Sequence, residues 1–284
     1  GDVDTSFGGG DGEVTTDLGG NDVARALALQ PDGRIVVAGS RTRDGHTRVA
    51  VARYLANGDQ DPSFSQDGEL VFDFGGEDVG QGLAIQDDGK IVVAATRTTT
   101  DGGSVFAVAR LLSNGDLDAT FSGNGKAFSD FGGDSLASAV AIQADGRILV
   151  GGYAPSADGR RNQAVLLRFG EDGALDTSFG RGGEAYVPLD DYGDGFTSLA
   201  VRPDGRILAS GLLSRGRTML VRFLADGTLD PEFASSGIAT FATATFQPAV
   251  VAVQDGKILV GFAAQGAFVV RRYDAAGHLD ASFG

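Results

Sequence analysis

The sequence predicts an all-β chain: a five-bladed β-propeller with four antiparallel strands per blade. Three observations carry this prediction. A phrase ending in Phe recurs six times, as Asp4-Thr-Ser-Phe7, Asp61-Pro-Ser-Phe64, Asp118-Ala-Thr-Phe121, Asp176-Thr-Ser-Phe179, Asp230-Pro-Glu-Phe233 and Asp280-Ala-Ser-Phe283. A second phrase runs in step with it: PDGRIVVAG at 31–39, DDGKIVVAA at 87–95, ADGRILVGG at 144–152, PDGRILASG at 203–211 and QDGKILVGF at 254–262. Between them the pattern is that of short strands, with no helical period. Six marks bound five repeats across residues 1–284 and leave no segment for a second domain, and a period of this length belongs to repeat architectures.

Each element of a repeat has its own reason. In the first, residues 23–30 read as a strand, and Asp32-Gly33 reads as a two-residue hairpin turn. Residues 34–40, rich in Ile and Val, form a buried strand. A variable loop then leads to a third strand over 47–55. Asn57-Gly58 turns the chain through DQDPSF into an outer strand over 69–74. Four short antiparallel strands per repeat describe a propeller blade. Outer strands are expected near 13–18, 69–74, 126–131, 184–189 and 238–243. The first of these precedes any inner strand, and no outer strand follows Tyr273. The N-terminal strand, within residues 9–18, is therefore expected to complete the last blade and close the ring, which would remove exposed sheet edges. A ring closed in this way is expected to be monomeric.

The inner strands carry small residues at matching positions (Ala28, Ala84, Ala141, Ala200, Ala252), as strands converging on one axis require. Their other face carries Leu27/Leu29, Leu83/Ile85, Val140/Ile142, Leu199/Val201 and Val251/Val253, expected to pack between sheets.

The pattern DG[KR]I[VL]VAG, then a loop, then AR[YL], then G-x-L-D-x-[ST]-F, resembles the bacterial delta-60 repeat family over the whole chain. The fifth repeat departs most, with a shortened VQDGK turn and TATFQPAV where others have a Gly-Gly loop. The resemblance implies a β-propeller in an exported or cell-surface protein and assigns no activity.

Composition excludes several classes. A net charge of −15 argues against nucleic acid as a general partner, which needs a basic face. No stretch reaches the ~18 apolar residues of a membrane span, so no membrane insertion is expected. The absence of Cys removes disulfides, thiolate metal sites and thiol nucleophiles. The chain starts at Gly1 without Met, so a signal peptide is neither visible nor excluded.

Residues repeated in register belong to the scaffold. Arg53, Arg110, Arg168, Arg222 and Arg272 each stand eight positions before a repeated aspartate. A residue needed once for chemistry has no reason to appear five times. A semi-buried ion pair or turn cap is expected, worth ~1 kcal/mol per blade where solvent reaches it. The repeated Phe should wedge between blades.

Function is expected where repeats differ, in the loops of one face. The loops between the second and third strands read RTRDGHTR, RTTTDGG, PSADGRRNQ, SRGRT and FAAQG. They gather Arg41, Arg43, His46, Arg48, Arg97, Arg160, Arg161, Arg215 and Arg217, a rim suited to an anionic ligand or an acidic partner surface. The loops leading into inner strands align Asp22, Asp78 and Asp194. These could hold Ca²⁺, which takes 6–8 oxygen ligands, or simply cap their own turns. No other cofactor is indicated. The main expectation is a non-catalytic module that binds a protein or glycan through these loops. One alternative is a glycosidase-like hydrolase, possibly calcium-dependent, using axial carboxylates among Asp22, Asp78, Asp191 and Asp194. Against it stand the lack of Trp and the few aromatics in these loops. Another alternative is a structural repeat segment of a larger surface protein.

Overall fold

The computed structural model describes residues 2–156, 158–187, 195–214, 216–243, 249–264 and 266–284. It divides into two compact units, Gly1–Asp130 and Phe131–Gly284. The described residues contain strands and turns and no helix.

The first unit holds two blades. One is β1 (Asn21–Leu29), β2 (Ile35–Arg43), β3 (His46–Tyr54) and β4 (Glu69–Phe72). The other is β5 (Glu77–Ile85), β6 (Ile91–Thr98), β7 (Ser104–Leu111) and β8 (Lys126–Ser129). The second unit holds β9 (Leu136–Ile142), β10 (Ile148–Pro155), β11 (Asn162–Phe169) and β12 (Glu184–Tyr186); β13 (Gly195–Val201), β14 (Ile207–Leu213), β15 (Arg217–Phe223) and β16 (Ile238–Ala242); and β17 (Val250–Gln254), β18 (Lys257–Ala264) and β19 (Ala267–Tyr273). Strands pair antiparallel in chain order within every sheet, so each repeat is one sheet, as the sequence predicts.

Three local features differ from expectation. In the first four repeats the turn after the inner strand has three residues. Gly33 N donates to Gln30 O (2.9 Å) and Gln30 N to Arg34 O (2.8 Å), with Gly33 at φ 85°. A type I turn followed by one left-handed residue has this form. Only the fifth repeat makes the two-residue turn, where Asp255 and Gly256 both take positive φ and Gln254 pairs with Lys257. Second, the inner strands of the first four blades carry a bulge, between Ala24 and Ala26 in the first and Gly80 and Gly82 in the second. The extra residue adds local twist. Third, residues 13–18 form no strand, and the fifth sheet has three strands among the described residues. Residues 7–18 lie against the first sheet: Gly8 N donates to Asn57 O (3.0 Å), as Ser65 N does to Asn114 O (2.7 Å) one blade on, and Thr16 Oγ1 hydrogen-bonds Tyr54 Oη (2.7 Å).

The repeated Arg and Asp form ion pairs in all five blades: Arg53–Asp61 and Arg110–Asp118 at 2.8 Å, Arg168–Asp176 at 2.9 Å, Arg222–Asp230 at 2.8 Å and Arg272–Asp280 at 2.9 Å. The carboxylate also caps its turn, Asp61 Oδ1 accepting from Ser63 N (3.0 Å) and Ser63 Oγ (2.6 Å). The pairs of the first, second and fourth blades are buried, Arg53 and Asp61 being 3% and 2% exposed, while Asp176 of the third is 14% exposed. Each guanidinium lies over the Phe of its own phrase, Arg53 at 4.9 Å from the Phe64 centroid and Arg222 at 4.7 Å from that of Phe233. Three of them also reach the turn of the next blade, Arg53 donating to Ser113 O, Arg168 to Ala225 O (2.5 Å) and Arg222 to Ala275 O. The Phe completes the link. A Cβ at Gly227 would stand 2.8 Å from the Phe179 ring, and Gly227 has φ 86°, so both the turn and the wedge require glycine there. The motif thus ties one blade to the next within each unit.

Sequence reading missed a second cation on the same carboxylate. Arg34, Arg147, Arg206 and Lys257, from the D-G-[KR] phrase, meet Asp61 (2.8 Å), Asp176 (3.0 Å), Asp230 (2.9 Å) and Asp280 (3.2 Å). Burial alone would raise the Asp61 carboxyl. Hydrogen bonds from the Ser63 hydroxyl and amide, and the charges of Arg53 and Arg34, outweigh it and hold Asp61 below the usual carboxylate value.

Candidate functional site

The loops that vary between repeats build one cleft within the first unit. Its walls come from three short segments. The β2–β3 hairpin turns on Asp44 and Gly45, with φ 52° and 79°, and Arg43 pairs with His46. That two-residue turn fixes His46 and Arg48 at the start of β3. The link from β4 to β5 supplies Asp73 and Glu77. Gly76 is required in it, because a Cβ there would stand 2.1 Å from Thr98 O. The β6–β7 loop, closed by Thr99 N donating to Gly103 O (2.8 Å), supplies Thr98, Thr99 and Thr100. The result is an open cleft of about 400 Å³ lined by His46, Arg48, Asp73, Glu77 and the three threonines.

Glu77 holds the wall together. Its Oε2 accepts from Thr47 N (2.5 Å) and its Oε1 hydrogen-bonds His46 Nδ1 (3.0 Å). The Thr47 amide and then His46 hold its carboxyl below the ordinary value, so Glu77 is an acceptor at neutral pH. Arg48 faces Asp73 at 3.7 Å. The cleft therefore offers cationic donors, carboxylate acceptors and hydroxyls that serve as either.

The expected site residues among those described are placed as follows. His46 and Arg48 line the cleft. Arg43 is exposed beside it, 3.6 Å from Asp44. Arg41 pairs across the strands with Arg48 and donates to Leu18 O (3.2 Å). Arg97 is half-buried over the Phe128 ring (5.1 Å) and donates to Gly75 O (3.4 Å), which fastens the loop. In the second unit, Arg160 is exposed at 4.0 Å from Asp158, and Arg161 O accepts from Ser156 N (2.7 Å). Arg217 donates to Thr240 Oγ1 (2.6 Å). Arg215 and Asp194 lie outside the described residues, as does Asp191.

Asp22 and Asp78 each cap their own loop, accepting from Leu18 N (2.8 Å) and Phe74 N (2.6 Å). Asp78 is fully buried; desolvation raises its carboxyl, opposed by the amides of Phe74 and Gly76, and the Asp73 charge raises it further. Among the described residues no group of three or more His, Asp or Glu is placed to hold a metal ion. The carboxylates that reach the cleft are Asp73 and Glu77, which the sequence did not single out. Strand alternation was the available signal: adjacent residues point to opposite faces, so in Glu77-Asp78 only one of the pair can line the loop surface.

A family model, described as a domain of unknown function (DUF5122) β-propeller, matches residues 30–64, 86–121, 143–179, 202–233 and 254–283. No curated protein matches the sequence. Among solved structures, a NanB sialidase variant from Streptococcus pneumoniae is similar with a TM-score of 0.60 at 9% identity, over 94% of this chain and 62% of that one. An endo-arabinase from Bacteroides thetaiotaomicron is similar with a TM-score of 0.51 at 10% identity, over 90% of this chain and 95% of that one. This chain spans about three fifths of the sialidase chain. At such identities the likeness is one of fold. The match of the family model to all five repeats, each folded as one antiparallel sheet, makes the chain a member of the DUF5122 β-propeller family.

Proposed function

We propose that this protein is a non-catalytic binding module whose variable loops take a glycan, with the His46–Arg48–Glu77 cleft as the contact in the first unit. The observation that carries the reading is the chemistry of that cleft. A sugar hydroxyl is donor and acceptor at once, and the cleft pairs Arg48 and His46 with Asp73, Glu77 and three threonines. A site for a simple anion would favour cations without carboxylates beside them. The repeated Arg, Asp and Phe are spent on tying blades together, which leaves the unrepeated loop residues for recognition.

The test is a glycan array probed with the labelled protein and with Arg48→Ala and Thr99→Ala variants. Binding of a glycan class by the parent, weakened on the order of tenfold by Arg48→Ala with unchanged melting, is expected. No glycan bound above background, or equal binding by both variants, overturns the reading. Capture of acidic peptides instead would reassign the loops to a protein surface.

A further inference from the structure

The loop that carries both cleft carboxylates is held from beneath by three side chains that do not line the cleft. It runs from Asp73 to Glu77, and its backbone is fastened to the second blade. Phe74 N donates to Asp78 Oδ2 (2.6 Å) in β5, and Gly76 N donates to the same carboxylate. Gly75 O accepts from Arg97 of β6 (3.4 Å), and Asp73 O accepts from Lys126 Nζ of β8. Lys126 Nζ also lies 5.8 Å from the ring centroids of Phe72 and Phe74. Phe74 is buried, edge-on to Phe72 (5.5 Å) and Phe128 (5.6 Å). The second blade thus grips the loop, while Asp73 and Glu77 face Arg48 and His46 of the first blade.

Arg97 and Lys126 are not residues of the repeated scaffold. Where Lys126 stands, the other outer strands have Glu69, Glu184 and Ile238. Where Arg97 stands, the third, fourth and fifth blades have Ala154, Leu213 and Ala264, and only the first has an arginine, Arg41. The grip is also finely balanced. Asp78 is fully buried, and its Oδ1 and the Nε of Arg97 across from it carry no hydrogen bond among the described residues. Keeping the loop shut therefore depends on the amides of Phe74 and Gly76 offsetting the burial of a carboxylate.

We propose that Asp78, Arg97 and Lys126 are positioning residues for the cleft: they set where Asp73 and Glu77 stand, and through Glu77 the orientation of the His46 ring, without touching the ligand. The link to the ring is the 3.0 Å hydrogen bond between Glu77 Oε1 and His46 Nδ1. A binding group is only as well placed as the residues that hold it. The proposal rests on the glycan reading solely for what the cleft takes.

The chain has two histidines, His46 in the cleft and His278 in the second unit, so their ring signals in NMR spectra separate a change at the cleft from one elsewhere. Lys126→Met keeps the side-chain stem over Phe72 and Phe74 and removes the donor. It should shift the His46 ring signals, speed hydrogen exchange of the Phe74 and Gly76 amides on the order of tenfold, and leave His278 and the urea midpoint unmoved. Arg97→Met should act likewise through Gly75. Asp78→Ala should loosen the loop further, and Asp78→Asn, which keeps an acceptor for Phe74 N, should restore most of the loss. For the glycan that binds best on the array, the dissociation constant of Lys126→Met should rise on the order of tenfold. Unchanged His46 signals and amide exchange in both Lys126→Met and Arg97→Met overturn the proposal, and so does a displaced loop with unaltered glycan affinity. If the array returns no glycan, the binding reading fails alone, and the His46 signals still decide whether these residues place the loop.

Discussion

Replacing Asp61 by Ala tests the link between blades most directly. Asp61 accepts four hydrogen bonds: from Arg53 Nε and Arg34 Nε, both at 2.8 Å, and from the Ser63 amide and hydroxyl. Arg34 is partly exposed and can turn to water once its partner is gone. Arg53 cannot. It is held under Phe64 and by Ser113 O, so its charge stays buried without a counter-charge. Breaking such a pair costs about 3–5 kcal/mol, against about 0.5–1.5 for an ordinary hydrogen bond. The expected loss is thus several times the ~1 kcal/mol of a solvated pair. Urea unfolding followed by circular dichroism measures it as a lower midpoint. The Arg53→Met/Asp61→Ala double variant, which removes both charges, should lose less than the sum of the single changes. Asp280→Ala is the internal control: the same pair with a partly exposed arginine should lose less than Asp61→Ala. A loss below about 1 kcal/mol for Asp61→Ala, or equal losses at Asp61 and Asp280, would refute the account.

Three further outcomes follow from the same geometry. Asp61, Asp118, Asp176 and Asp230 all sit below the ordinary carboxylate value, so their contribution is full above the unfolded value near 4 and is lost as pH falls through the lower folded values; acid titration of the melting temperature should show a decline there that Asp61→Asn blunts. Asp78 has the opposite sign, since its raised carboxyl favours the protonated form, a contribution present below about 4 and lost as pH rises through the folded value. Asp78→Asn should therefore gain on the parent protein as pH climbs from 4 to 7 in thermal melts, and a constant difference would contradict this. Gly227→Ala should cost more than Gly123→Ala, because both have positive φ but only the first places a methyl against Phe179; a strain of about 1 kcal/mol is expected at Gly123 and about 1–3 more at Gly227, read by urea midpoints.

The sequence by itself determined the repeats, the four strands of each of the first four blades and the scaffold role of residues recurring in register. Identical residues at a fixed interval must solve an identical structural problem, and alternation plus turn glycine names the strand. What tertiary structure decided was the environment of each residue. Arg53 and Arg272 read alike in the sequence, yet one is buried and the other partly open, because burial depends on what lies beyond the blade. The partnership of Arg34 with Asp61 joins residues 27 apart, through the return of the chain along β2 and β3. At the loops, Asp78 turned inward to cap Phe74 while Glu77 and Asp73 reached the cleft, a choice set by strand register rather than composition.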